Sequence, residues 1–146
     1  MKILEMYRNV TEKLENFKDL SLLLPRLILA YGFYIPATMK WSNIGGIIEW
    51  FDSMGIPMPT LNAYMAATTE MAAVILLPLG LATRIISIPL MVTMLVAIAT
   101  VHWGNGFEAG ENGFEIPLYY LLMLFAIFIQ GPGKYSLDYI LERRMK

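Results

Sequence analysis

The chain has 146 residues, of which 57% are hydrophobic and only 16% are charged, and its mean hydropathy is +0.54. An average soluble domain has about 25% charged residues, so this composition excludes an ordinary soluble domain and indicates a small integral membrane protein of one domain. The formal net charge of −1 argues against nucleic acid as a partner. With no cysteine and a single histidine, one copy of the chain lacks the ligands for a Cys-ligated iron–sulfur cluster, a c-type haem, a bis-His haem or a His-rich metal site.

Residues 1–19 predict an amphipathic helix outside the bilayer core. Apolar side chains recur there at helical spacing between lysines and glutamates, namely Ile3, Tyr7, Val10, Leu14 and Phe17. The segment has no apolar core followed by a small-residue cleavage site, so it is not a secretory signal. We expect this helix either to lie on the membrane surface or to dock on a partner protein.

Four apolar runs follow, at residues 20–39, 61–79, 85–103 and 114–130. A membrane-spanning helix needs about 20 mostly apolar residues, so each run is a candidate span, the fourth being the shortest. Between the first two, residues 43–54 predict a short interfacial helix, which the prolines of residues 55–59 end. The sequence therefore predicts an all-α fold, a four-helix membrane bundle over residues 20–138 with a basic tail at 139–146.

The basic residues predict the orientation of these spans. One side of the predicted membrane has nine of them, and the other side has Lys40 among acidic residues. Because lysine and arginine stay on the cytoplasmic side, we expect a multi-pass protein of the plasma (inner) membrane with both termini in the cytoplasm. The nine are Lys2, Arg8, Lys13, Lys18, Arg84, Lys134, Arg143, Arg144 and Lys146.

Two ionisable residues lie inside the predicted spans, Arg26 and Glu70. Such groups are expensive in lipid and are candidates for function. Glu70 lies near the middle of its span with small residues one turn away, so it should face the bundle. From the span ends we predict an Arg26–Glu70 ion pair, either a structural staple or the polar floor of a ligand or proton site. The remaining alternative is that Arg26 does not pair with Glu70 and extends its side chain to the inner lipid headgroups.

A second polar group lies where the third span ends. His102 falls there, Lys40 ends the first span at the same level, Glu115 opens the fourth, and Asn105 lies just beyond. A histidine at this level either passes a proton or binds a quinone carbonyl, or is an ordinary interfacial residue. Near the C-terminus, Ser136 and Asp138 are predicted to cap the tail helix.

From about residue 23 to 138 the chain resembles the DoxX family of small four-span membrane proteins. The resemblance rests on the order and spacing of several stretches: Pro25-Arg26-Leu27, residues 55–59, Glu70, residues 80–84, residues 100–107 and residues 131–138. Some members of that family resemble the membrane subunit of thiosulfate:quinone oxidoreductases. The resemblance therefore implies a quinone-linked redox setting. The chain itself has no motif for covalent attachment of a cofactor.

Three functions follow as hypotheses. The first is an accessory or quinone-interacting subunit of a membrane redox complex, with soluble or membrane oxidoreductase subunits as partners. The second is a scaffold in which the buried polar pair sets helix register and the N-terminal helix docks a partner. The third is a small-solute transporter, for which four spans would have to act as a homo-oligomer.

Overall fold

The computed structural model describes residues 1–145, and every regular element in that part of the chain is helical. This confirms the predicted all-α fold. Helix α5 continues as one turn of π-helix, Ile98–His102, and the loop that follows contains two short 3₁₀ turns. The α-helices are α1 (Lys2–Glu15), α2 (Lys18–Ser42), α3 (Ile44–Ser53), α4 (Pro59–Leu79), α5 (Thr83–Ala97), α6 (Glu115–Gln130) and α7 (Leu137–Met145).

Three helical segments are long and apolar enough to cross a bilayer: Lys18–Ser42, Pro59–Leu79 and Thr83–Asn105. The fourth apolar helix, α6, has 16 residues and packs along α5. Its length of about 24 Å is short of the roughly 30 Å hydrocarbon layer of a typical bilayer. The chain is therefore a membrane protein with three helices long and apolar enough to span the bilayer, and the fourth span stays a prediction.

Helices α2 and α4 form one close antiparallel pair. Small residues of α4 make this approach possible, since Ala63, Ala67 and Ala73 are fully buried. The indole Nε1 of Trp41 donates a hydrogen bond of 3.2 Å to the carbonyl oxygen of Ala67, which fixes the register of the pair. The prediction that Glu70 faces the bundle is confirmed, because Glu70 lies on the same stripe of α4 and is 3% exposed.

Helices α5 and α6 form the second pair, and the space between the two pairs is filled unevenly. We call the end where α2 begins and α6 ends the terminal end, and the opposite end the loop end. The apolar core fills the terminal half and the middle of the bundle. Its buried members are Leu29, Ala30, Phe33, Ala73, Leu77, Ile86, Leu90, Met94, Leu124 and Ile127. Towards the loop end a cavity lies between the two pairs.

Residues 131–138, which we call the C-terminal strap, fold across the terminal end of the bundle. The carboxylate of Asp138 accepts hydrogen bonds of 2.8 and 2.9 Å from the backbone N–H groups of Ala82 and Thr83. It thereby caps the N-terminus of α5, so the prediction that Asp138 caps the tail helix is wrong. Ser136 does cap the tail helix as predicted, because its hydroxyl oxygen accepts from the N–H of Tyr139 at 3.2 Å.

The two predicted surface helices are present as α1 and α3. Every residue of α1 is exposed, including the apolar ones, and α3 begins at Asn43, whose side chain accepts a hydrogen bond from the N–H of Gly46. Helix α3 lies against α4 at the loop end, where Gly55 and Met58 adopt positive φ and redirect the chain into Pro59. Whether α1 lies on a membrane surface or on a partner stays a prediction.

Candidate functional site

The main cavity lies between the two helix pairs and extends from the middle of the bundle to the loop end. Its volume is about 1030 Å³, and most of its lining is apolar. Side chains from α2, α4, α5 and α6 form its walls, and Trp50, Phe51 and residues 54–57 contribute from the loop end. A largely apolar cavity with a few placed polar groups is the usual form of a small-molecule site.

A buried ion pair, Lys40–Glu70, lies in the wall of this cavity. The ammonium nitrogen of Lys40 is 2.9 and 3.1 Å from the two carboxylate oxygens of Glu70. The side chain of Lys40 is 15% exposed and that of Glu70 is 3% exposed, so the pair is largely withdrawn from solvent. Both residues line the cavity. The pair therefore offers a ligand one cation and one carboxylate within an apolar surrounding.

The predicted Arg26–Glu70 pair is wrong, and the helix register explains why. Because Trp41 of α2 lies opposite Ala67 of α4, the antiparallel geometry places Arg26 at the level of Ala82, in the α4–α5 turn. Glu70 is then about 18 Å away along the helix axis, at about 1.5 Å per residue. Lys40, by the same register, lies only about 3 Å beyond the level of Glu70.

Side-chain direction adds to this difference. In an α-helix the Cα–Cβ bond tilts towards the N-terminus of that helix. Lys40, near the end of α2, therefore leans back into the bundle, and Glu70 on the antiparallel α4 leans towards it. Arg26 leans in the same direction as Lys40, towards the terminal end, and from its position this direction leads away from Glu70.

Arg26 instead lies beneath the C-terminal strap. It is fully buried, and its guanidinium donates a hydrogen bond to the backbone carbonyl of Tyr135. Nη1 lies against Gly80, where a side chain would overlap it. The carboxylate that acts on its charge is that of Asp138. Arg26 thus holds the strap to α2 and has no part in the cavity.

His102 lines the cavity, from the π-helical turn at the end of α5. Its Nδ1 is 2.8 Å from the backbone carbonyl oxygen of Asn112. A carbonyl only accepts hydrogen bonds, so Nδ1 carries the hydrogen, and Nε2 of the neutral ring is left as an acceptor. Single π-helical turns are frequent at functional sites, and here the turn brings the imidazole next to the loop that holds it.

The two other predicted site residues, Asn105 and Glu115, do not line the cavity and stabilise the loop beside it. The amide of Asn105 donates to the same Asn112 carbonyl at 3.1 Å, so Asn105 supports the position of His102. Glu115 accepts hydrogen bonds from the N–H of Ala109 at 2.9 Å and from the hydroxyl of Tyr119 at 3.1 Å. Among residues 1–145, no three histidine, aspartate or glutamate side chains are placed to hold a metal ion.

Sequence reasoning missed the threonines of the cavity wall. Thr93 and Thr100 both line it, and their separation of seven residues on one helix is a signal the sequence contains. Tyr120 also lines it, packed edge-on against Phe33 with a centroid distance of 5.4 Å. Its hydroxyl lies against Gly32, where a Cβ would overlap it. Only the packed bundle reveals that glycine and tyrosine meet.

The chain is similar to several bacterial membrane proteins. An "Uncharacterized protein" of Haemophilus influenzae is 30% identical over 127 residues, covering 84% of each chain. A Bacillus subtilis protein named "Putative oxidoreductase CatD" is 32% identical over 115 residues, 79% of this chain and 81% of that one. The "Inner membrane protein YphA" of Escherichia coli is 31% identical over 128 residues, 83% of this chain and 90% of that one. No solved structure matches the chain.

A family model also matches, and it covers more than half of the chain. The DoxX model aligns with residues 21–103, which include Arg26, Lys40, Glu70 and His102. The resemblance inferred from the sequence is therefore confirmed, and the relatives extend it over most of the remaining chain. The chain belongs to the DoxX family of membrane proteins.

Proposed function

We propose that this protein is a quinone-binding subunit of a membrane redox complex, and that the cavity between the two helix pairs is the quinone site. The observation that carries the proposal is the position of the Lys40–Glu70 pair in the wall of a cavity of about 1030 Å³ that is otherwise largely apolar. A quinone has an apolar ring and tail with polar oxygens at the ring, and the lining offers the matching surfaces.

The cavity has a route to lipid. Among its lining residues, Met65, Ile88 and Val92 belong to the membrane-spanning helices and are about half exposed, at 55%, 49% and 54%. Their exposed sides face the bilayer, because these segments are the long apolar ones. A lipid-soluble ligand therefore has access from within the membrane, which suits a quinone better than a water-soluble solute.

A subunit role is proposed because the chain has few residues that could hold a redox centre of its own. It has no cysteine and a single histidine, so a redox partner has to exchange electrons with the bound quinone. The name of the Bacillus subtilis relative includes the word oxidoreductase, which supports this direction.

We propose further that α6 is the fourth span and that both termini lie in the cytoplasm, with the protein in the plasma membrane. The distribution of lysine and arginine supports the orientation, since eight of these residues within 1–145 belong to the terminal end. The Escherichia coli relative is named as an inner membrane protein, which supports the location.

The test is extraction of bound quinone from gently purified protein, with detection by mass spectrometry. A variant with the cavity filled, Ala66→Phe/Ala97→Phe, is compared with Leu95→Phe, which adds the same side chain to α5 outside the main cavity. We expect near-stoichiometric quinone with the wild type and with Leu95→Phe. We expect little or none with the filled variant.

Glu70→Gln provides a second comparison, because it removes the charge while keeping the shape of the side chain. We expect it to lower the quinone content. If only phospholipid is extracted from the wild type and from all variants, the proposed function is wrong.

A further inference from the structure

The wall of the cavity formed by α5 and its π-helical turn presents hydrogen-bond acceptors. Thr93 donates its hydroxyl hydrogen to the carbonyl of Pro89 at 2.9 Å, and Thr100 donates to the carbonyl of Val96 at 2.7 Å. His102 donates from Nδ1 to the carbonyl of Asn112. Each of these side chains has used its only hydrogen, so what it can still offer a ligand is a lone pair.

Two other residues of the cavity lining, Lys40 and Tyr120, present donors. Lys40 has three N–H groups and makes two contacts with Glu70, so one N–H remains. In the part of the chain that the structure describes, the hydroxyl of Tyr120 makes no hydrogen bond, so its hydrogen is free. Lys40 belongs to α2, across the cavity from the acceptors of α5, and Tyr120 belongs to α6, the helix that pairs with α5.

We infer that the cavity distinguishes the two oxidation states of its ligand and binds the hydroxyl-bearing ring, a quinol, more tightly than the corresponding quinone. This inference rests on the proposed function. A quinol oxygen both donates and accepts, so one hydroxyl donates to the α5 wall while the other accepts from Lys40 or Tyr120. Both oxygens of a quinone are acceptors. A quinone oxygen next to the α5 wall therefore faces the lone pairs of Thr93, Thr100 and His102, and those three acceptors receive no hydrogen bond from it.

The test measures the affinities of three ligands with one ring: a short-chain 1,4-benzoquinol, its quinone and its dimethyl ether, which has no hydroxyl hydrogen. Equilibrium dialysis is run without oxygen, with ascorbate present for the quinol. The filled variant Ala66→Phe/Ala97→Phe in the same micelles corrects for partition into detergent. We expect the quinol to bind about tenfold more tightly than either other ligand, since one matched hydrogen bond is worth about that factor.

The variant Thr93→Val/Thr100→Val removes two acceptors with little change of shape, and we expect the preference for the quinol to fall to about twofold or less. Thr38→Val is the matched control, because Thr38 also donates to a carbonyl of its own helix but does not line the cavity.

The possible failures are distinguishable. If the quinone binds as tightly as the quinol, and the filled variant loses both, the inference on oxidation state is wrong and the proposed function stands. If wild type and filled variant retain all three ligands equally, both are wrong.

Discussion

At the scale of single residues, the Lys40–Glu70 pair combines stability and chemistry. Each charge is tolerated in the bundle because the other neutralises it, with N–O distances of 2.9 and 3.1 Å. Removing one member of a buried pair leaves an uncompensated charge, whereas replacing both with apolar side chains is often close to neutral. Pairs of this kind can therefore be tested by replacing one or both members.

We predict that Lys40→Met destabilises the protein by about 3–5 kcal/mol, because it leaves Glu70 charged and buried. Glu70→Leu should cost less, since the 15% exposed lysine can redirect its ammonium towards the loop end. The double variant Lys40→Met/Glu70→Leu should return close to wild type. The measurement is thermal unfolding in detergent, followed by circular dichroism. Losses in the two single variants that simply add in the double variant would show that the residues are not coupled.

The same assay tests the separation of Arg26 from Glu70. We predict that the effects of Arg26→Met and Glu70→Leu on the free energy of unfolding add within about 0.5 kcal/mol, as is usual for distant sites. A coupling of several kcal/mol would contradict the register described here.

Gly80 is a residue whose side chain is excluded for two reasons. Its φ of +65° is strained for other residues, and a Cβ there would overlap Nη1 of Arg26 and the side chain of Ser136. Gly55 has a similar φ of +72° but open space around it.

We predict that Gly55→Ala costs about 1–2 kcal/mol from backbone strain alone. Gly80→Ala should cost about 1–3 kcal/mol more, because Arg26 and the strap must move. Unfolding midpoints of the two variants provide the comparison. Equal losses of stability in the two variants would mean that Arg26 and the strap leave room for a side chain at residue 80.

At the scale of elements, the C-terminal strap ties together helices that are distant in sequence. Asp138 caps α5, Arg26 of α2 donates to the carbonyl of Tyr135, and the N–H of Lys134 donates to Asp19 at the start of α2 at 2.8 Å. The strap thus closes the terminal end and fixes the helices whose other ends form the cavity.

We predict that Asp138→Ala lowers the free energy of unfolding by about 1–2 kcal/mol, because two N–H groups at the N-terminus of α5 lose their acceptor. Glu142→Ala, an exposed position on α7, is the control and should stay within about 0.5 kcal/mol of wild type. Chemical unfolding in mixed micelles measures both. A loss in Glu142→Ala as large as that in Asp138→Ala would remove the capping explanation.

At the scale of the whole molecule, the bundle is tightly packed at the terminal end and hollow towards the loop end. Within residues 1–145, α7, the strap and most of the basic residues lie at the packed end, whereas α3 and the loop with Glu108 and Glu111 lie at the hollow end. The proposed orientation therefore places the loop end of the cavity nearest the outer side of the plasma membrane.

The lack of native cysteine makes this orientation directly testable, because one introduced thiol gives one label. We predict that an impermeant maleimide labels Gly110→Cys, at the loop end, in intact cells. Glu142→Cys, at the terminal end, should be labelled only after lysis. If only Glu142→Cys is labelled in intact cells, the orientation is the reverse of the one proposed. If both variants are labelled in intact cells, α6 does not span the membrane.

Much of the architecture could be predicted from the sequence because it depends on local pattern. The apolar runs predicted the ends of the long helices to within a few residues. The alanines around Glu70 correctly predicted that Glu70 faces another helix. The ionic partner of Glu70 was missed because it depends on helix register, which the Trp41–Ala67 contact fixes and which span ends do not reveal.

The sequence by itself determined that this is a helical membrane protein of the DoxX family and that Arg26 and Glu70 are buried in its helices. Hydropathy, charge and spacing are properties of the chain alone. The tertiary structure alone decided that Lys40 pairs with Glu70, that Arg26 and Asp138 stabilise the terminal end, and that Thr93, Thr100 and His102 face one cavity. These facts depend on which helices lie side by side and in which direction their side chains lean, and that is settled only when the bundle packs.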